Sequence, residues 1–181
     1  MAKITIFLSS TRNESNGLRV YSWIEKVLTE KGYDIVLVNP QEQKSLQVFS
    51  ERYDKSEGRL IELKKISDGI RNSKAIIIIA AEYNHTITGA LKNALDTFYP
   101  EYKNKVFGII SYSTGRYGGI RANEQLRMII PALGGIVIPK TIMISNVKES
   151  FDEEGNVIAE EYNDRLEAFI NSIESLSERL S

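Results

Sequence analysis

The chain has 181 residues, 42% hydrophobic and 26% charged, with a formal net charge of −1, the balance of one globular domain that buries about 70% of its unfolded surface. The absence of cysteine removes disulfides, thiolate metal sites, Fe–S ligation and a cysteine nucleophile. A charge near zero gives no electrostatic case for nucleic acid, and the single histidine, His85, argues against a His-rich metal site or a Ser-His-Asp triad.

Ile4–Leu8 reads as a buried strand, followed by the polar turn Ser9-Ser10-Thr11-Arg12-Asn13-Glu14-Ser15. Gly17–Lys31 follows as an amphipathic helix with Leu18, Tyr21, Ile24 and Leu28 at helical spacing and Gly32 as its C-cap. Tyr33–Val38 is a second strand, closed by Asn39-Pro40. A long polar connection, 41–58, carries only a few apolar residues, among them Leu46, Val48, Phe49 and Tyr53; a connection of this length suggests a functional or interface role. Leu60–Asn72 is a second helix. Lys74–Ala81, with four consecutive isoleucines, reads as a central parallel strand buried on both faces; it is far too short to span a bilayer. The amino terminus has no signal-peptide pattern, so a cytoplasmic protein with no membrane contact is expected.

Gly89–Thr97 resumes helical spacing, with Lys92 and Asp96 placed to pair at i,i+4. Val106–Tyr112 is a fourth strand, Ser113–Gly119 a glycine-bearing loop and Ile120–Leu133 a helix. Ile136–Ile144 is a fifth strand whose Pro139 suits a sheet edge. The acidic stretch 152–156 lacks calcium-loop spacing and reads as a turn. Tyr162–Leu180 is the closing amphipathic helix. Alternation of strand and helix over 1–181, without repeat or linker, predicts one domain with a parallel sheet covered on both faces.

Ligands in such folds bind beyond the carboxyl ends of the strands, which singles out three loops: Ser9–Ser15, Glu82–Thr86 and Ser113–Gly119. In the first, Ser10, Thr11 and Ser15 offer hydroxyls and Arg12 a guanidinium fork at the start of a helix. Helix capping explains the hydroxyls as well as anion binding does. Neither G-x-x-x-x-G-K-[ST] nor G-x-G-x-x-G is present, so hydroxyls, amides and one arginine suit a terminal monophosphate better than a pyrophosphate. The second loop presents Tyr83 between Glu82 and Asn84, a ring that can stack and an amide that can meet a polar edge. The third has Gly115, Gly118 and Gly119 beside Tyr112, Arg116 and Tyr117, allowing close backbone approach to a planar ligand. Together they describe a mononucleotide with a large flat head, a shape that flavin mononucleotide (FMN) has.

These residues resemble a known family. Ser10-Thr11-Arg12 with Ser15 is similar to the G-S-x-R-x-x-S phosphate loop of NADPH-dependent FMN reductases. Glu82-Tyr83-Asn84 and the run Thr88–Asp96 look like that family's P-E-Y-N…P-G-x-L-K-N-A-L-D block, and Gly118–Arg127 resembles its G-G-x-R-A-x-x-Q-L-R helix start. Ser9 stands where the pattern has glycine, and Ala81 where it has proline. The resemblance implies a flavodoxin-like three-layer sandwich with a five-stranded parallel sheet in the order 2-1-3-4-5. It also implies non-covalent FMN with NADPH or NADH as co-substrate, a small-molecule electron acceptor, and a homodimer or homotetramer. Ser10, Arg12 and Ser15 would grip the phosphate, with Asn13 and Gly17 nearby and Thr11 and Asn16 also cofactor-binding; Glu82, Tyr83 and Asn84 would line the ring and ribityl region; Ser113, Gly115 and Gly118 would follow the other edge. The expected activity is transfer of hydride from NAD(P)H to FMN and on to a quinone, azo compound, free flavin or metal acceptor. The alternative is a flavodoxin-type electron carrier with no NAD(P)H site, which the near-neutral charge disfavours. A receiver-type signalling domain would need an acidic pair after the first strand, where Ser9-Ser10 stands.

Overall fold

The computed structural model describes residues 2–56 and 61–180. Its strands are β1 (Lys3–Leu8), β2 (Asp34–Val38), β3 (Ser73–Ala81), β4 (Val106–Tyr112) and β5 (Ile136–Ile144). The helices are α1 (Asn16–Glu30), α2 (Ile61–Asn72), α3 (Gly89–Thr97), α4 (Ile120–Ala132), the single turn α5 (Val147–Ser150) and α6 (Glu161–Arg179). All neighbouring strands pair parallel, in the order β2-β1-β3-β4-β5, the expected flavodoxin-like arrangement.

Alternation along β3 explains the three layers. Ile77 and Ile79 join one core with Val20, Trp23, Ile24 and Leu28 of α1 and Leu166, Phe169, Ile170 and Ile173 of α6. Ile76 and Ile78 face the opposite core, with Ile66 and Ile70 of α2, Leu91 and Leu95 of α3, and Leu126 and Ile130 of α4. Successive side chains of a strand leave on opposite faces, so an unbroken isoleucine run is what a central strand between two helical layers requires. At the sheet edge, β5 holds Pro139 where no ladder partner needs its missing N–H. Lys92 and Asp96 pair on α3 at 2.5 Å, and Asp152 accepts from the Asn156 backbone N–H at 2.7 Å, closing the acidic turn on itself.

In the long connection, Leu46 and Tyr53 are buried in the chain's own core, whereas Val48 and Phe49 are exposed. Gly58, the expected end of that connection, and Leu60, the expected start of the second helix, lie outside the described residues.

Strand order reverses between β1 and β3, so their carboxyl ends diverge into different loops at that point. Ser9 ties those ends together. Its hydroxyl accepts from the Ala81 N–H at 2.7 Å, and its carbonyl accepts from the Thr88 hydroxyl. Thr88 in turn caps α3 by accepting from the Leu91 N–H at 3.1 Å. Both departures from the glycine–proline pattern are thereby explained together: a proline has no N–H to satisfy and a glycine no hydroxyl to satisfy it, whereas Ala81 supplies the donor and Ser9 the acceptor. Ser9→Gly should destabilise the protein by about 1–3 kcal/mol by orphaning a buried amide. The double variant S9G/A81P should recover most of that loss in urea unfolding; strictly additive losses would show that the two positions are independent.

Candidate functional site

The carboxyl ends of β1, β3 and β4 open into a cavity of about 290 Å³, close to the lower end of the ~300–1,000 Å³ usual for small-molecule sites. From the first loop it is lined by Ser10, Arg12, Ser15 and Asn16, from the second by Glu82, Tyr83 and Asn84, and from the third by Ser113. Thr11, Gly17, Gly115 and Gly118 do not line it. Thr11 is exposed at the loop surface. Gly17 lies behind Ser15, where an added Cβ would sit 2.8 Å from the Tyr112 hydroxyl. Gly118, at φ +59°, packs on the backbone of Met143, and the Gly115 carbonyl accepts from the Asn146 N–H at 3.1 Å.

Two serine–tyrosine pairs build the cavity wall. Ser10 Oγ lies 2.8 Å from the Tyr83 hydroxyl, and Ser15 Oγ 3.3 Å from that of Tyr112. Each pair joins the first loop to a different strand end, which fixes the loop against both. Ser15 also caps α1, accepting from the Gly17 N–H at 3.2 Å. Burial raises the Tyr112 phenol above its usual pKa, with its hydrogen bond to Ser15 pulling the other way, so the phenol remains a proton donor at neutral pH. The Arg12 guanidinium lies 4.4 Å from the centre of the Tyr83 ring, a cation–π contact, and among the described residues it forms no salt bridge. Helix-capping hydroxyls and a candidate anion cradle are therefore the same groups.

Tyr83 and Asn84 are aimed by a tight turn. The Tyr83 N–H donates to the Thr86 carbonyl at 2.9 Å, and the Thr86 N–H donates to the Tyr83 carbonyl at 3.1 Å. Asn84 and His85 occupy its two central positions with φ of 49° and 68°, left-handed values that asparagine tolerates better than most residues. Gln125 of α4 braces the turn by accepting from the Thr86 hydroxyl and from the Ile87 N–H at 3.4 Å. Glu82 caps α4: its carboxylate accepts from the Arg121 N–H at 3.0 Å and meets the Arg121 guanidinium at 3.4 Å. Its negative charge sits at a helix amino end, where the dipole favours it.

Sequence reasoning noted Tyr112 only as a neighbour of the third loop, yet it lines the cavity, as do Glu14, Ala81 and Thr114. Tyr112 is the last residue of a strand whose seven positions are all buried, so its apolar run gave no sign that its hydroxyl reaches the site. The chemistry is that of a binding site. Donors from Ser10, Ser15, Tyr112, Arg12 and the start of α1 suit a phosphate and a polar chain. The two serines pair with phenols rather than with a base, so neither is set up as a nucleophile. These donor types and this shape fit FMN.

Residues 2–149 match the NADPH-dependent FMN reductase family. The chain is 33% identical over 139 residues to the NAD(P)H-dependent FMN reductase ntnL of Nectria sp, a match spanning 70% of this chain and 66% of that relative's length. It is 26% identical over 176 residues to the 2-hydroxy-1,4-benzoquinone reductase of Burkholderia sp, spanning 93% of this chain and 92% of the relative. In fold it is similar to FerB, a flavoenzyme NAD(P)H:(acceptor) oxidoreductase of Paracoccus denitrificans, with a TM-score of 0.82 at 22% identity over 99% of this chain and 98% of that one. With the Ser9–Ser15, Glu82-Tyr83-Asn84 and Gly118-Gly119 segments all inside the matched stretch, the chain belongs to the NADPH-dependent FMN reductase family.

Proposed function

We propose that the protein is an FMN-dependent NAD(P)H oxidoreductase that passes electrons to a quinone, azo compound, free flavin or metal acceptor. When bound, FMN supplies the chemistry, taking hydride from NAD(P)H and returning electrons to the second substrate. The chain's residues bind, orient and stabilise. Ser10, Ser15, Arg12 and the first amides of α1 hold the phosphate, with Thr11, Asn16 and Gly17 shaping the loop around it. Glu82, Tyr83 and Asn84 flank the ring and its polar chain, and Ser113, Gly115 and Gly118 shape the opposite edge. The Tyr112 phenol, whose pKa burial raises further, donates towards the cofactor's polar side. Glu82 is occupied in capping α4, so it holds that wall in place rather than moving a proton.

The observation that carries this reading is the convergence of Arg12, the two serine hydroxyls and the α1 amino end with Tyr83 and Asn84 around one cavity. The Burkholderia relative's name, 2-hydroxy-1,4-benzoquinone reductase, supports a quinone-like acceptor. A carrier role would suit a strongly acidic surface, and the net charge is only −1. We further propose that 1–181 act as one domain, in the cytoplasm, as a homodimer or homotetramer. Among the described residues no helix is long and apolar enough to cross a membrane, and the exposed Val48 and Phe49 on the long connection offer apolar surface to a second copy or to its cofactor.

The purified protein should be yellow with bound FMN and should oxidise NADPH or NADH in the presence of benzoquinone without an added reductase. A flavin-bound protein that needs a separate reductase would instead be a carrier. Arg12→Ala should weaken FMN binding about tenfold, the scale of one charge-assisted contact to phosphate, read by quenching of flavin fluorescence on titration; unchanged affinity would overturn the assignment of Arg12. Light scattering on the holoprotein should give the mass of a dimer or tetramer.

A further inference from the structure

Arg12 is exposed on a polar turn, yet its guanidinium is held in place. It lies 4.4 Å from the centre of the Tyr83 ring. The Arg12 backbone N–H donates to Ser10 Oγ at 3.2 Å, and Ser10 Oγ stands 2.8 Å from the Tyr83 hydroxyl. The three residues therefore close a circuit: Arg12 side chain to Tyr83 ring, Tyr83 hydroxyl to Ser10, and Ser10 back to the Arg12 main chain. All three line the cavity, although Ser10 and Tyr83 are 73 positions apart in the chain.

Tyr83 is the rigid member of the circuit. Its main chain is tied to Thr86 by two hydrogen bonds, Gln125 braces that turn at Ile87, and its side chain packs against the core shared with α1 and α6. A long exposed arginine otherwise samples many rotamers, and ordering it on binding costs affinity. A guanidinium stacks on an aromatic ring through its face and keeps its N–H donors along its edge. Stacking thus orders Arg12 without consuming the donors that fit a phosphate, and among the described residues those donors make no hydrogen bond or ion pair.

We infer that Tyr83 is a positioning residue for phosphate recognition: its ring presets the Arg12 guanidinium, so preference for a phosphate monoester over the same ligand without phosphate depends on Tyr83 through Arg12. The inference rests on the FMN reading above and gives Tyr83, there a flank of the ring and its polar chain, a second part at the phosphate. FMN and riboflavin differ only in the terminal phosphate, so the ratio of their affinities isolates that group.

The test titrates apoprotein with FMN and with riboflavin, read by flavin fluorescence, in wild type, Tyr83→Leu, Tyr83→Phe, Arg12→Ala and the double variant R12A/Y83L. The preference for FMN should fall about threefold in Y83L, the worth of one exposed cation–π contact, and stay near the wild-type value in Y83F, which keeps the ring. With Arg12 already removed, Y83L should leave the preference unchanged. Equal weakening of both flavins in Y83L would show that Tyr83 only lines the flavin and would overturn the inference, as would a further fall of the preference in the double variant. Nuclear magnetic resonance supplies an arm without flavin. In wild type the Arg12 Nε–H signal should be sharp and shifted by the tyrosine ring, and inorganic phosphate should move it at lower concentration than in Y83L. An unshifted, averaged signal in wild type, or the same half-saturation in both proteins, would also overturn the inference. Wild type that binds neither flavin would sink the FMN reading, and the inorganic phosphate titration would still decide the part played by Tyr83.

Discussion

The hydrogen bond from the Ala81 N–H to the Ser9 hydroxyl is the constraint on which the site depends. Two parallel strands at a reversal of strand order send their chains away in opposite directions, so nothing in the sheet ladder itself holds the next residues together. Ser9 closes that gap between β1 and β3, and through Thr88 it fixes the start of α3 as well. Ser10 then falls within reach of the Tyr83 hydroxyl, and Arg12 over its ring. If the strand ends were free to separate, each of those contacts would carry the entropic cost of ordering two loops at once.

From that tie the wall is assembled by reuse of a few groups. Ser15 is both the cap of α1 and the partner of Tyr112. Thr88 is a donor to Ser9 and the cap of α3. Glu82 is both cavity wall and cap of α4. Three helices thus begin at the same rim with their amino ends fixed by residues of the loops, so positive dipole ends gather where a negatively charged cofactor and coenzyme would come. The site needs no side-chain nucleophile for this, and among its serines none meets a base.

The loops around the cavity differ in how their cations are disposed. Arg12 lies against Tyr83 and lines the cavity, whereas Arg116 and Arg121 stand beside the exposed Tyr117, outside the cavity lining.

The sequence by itself determined the architecture, since an isoleucine run between two amphipathic helices has one comfortable place in a sheet covered on both faces, and Pro139 a comfortable place only at its edge. It also determined which three loops meet, because parallel strands put successive carboxyl ends on one side. What the tertiary structure alone decided was partnership across distance. That Tyr112 turns its hydroxyl to Ser15, that Glu82 caps α4 rather than facing a ligand freely, and that Gly118 serves packing against Met143 are contacts between residues far apart in the chain. Periodicity records which face a side chain leaves from; it carries no information about which distant group will be waiting there.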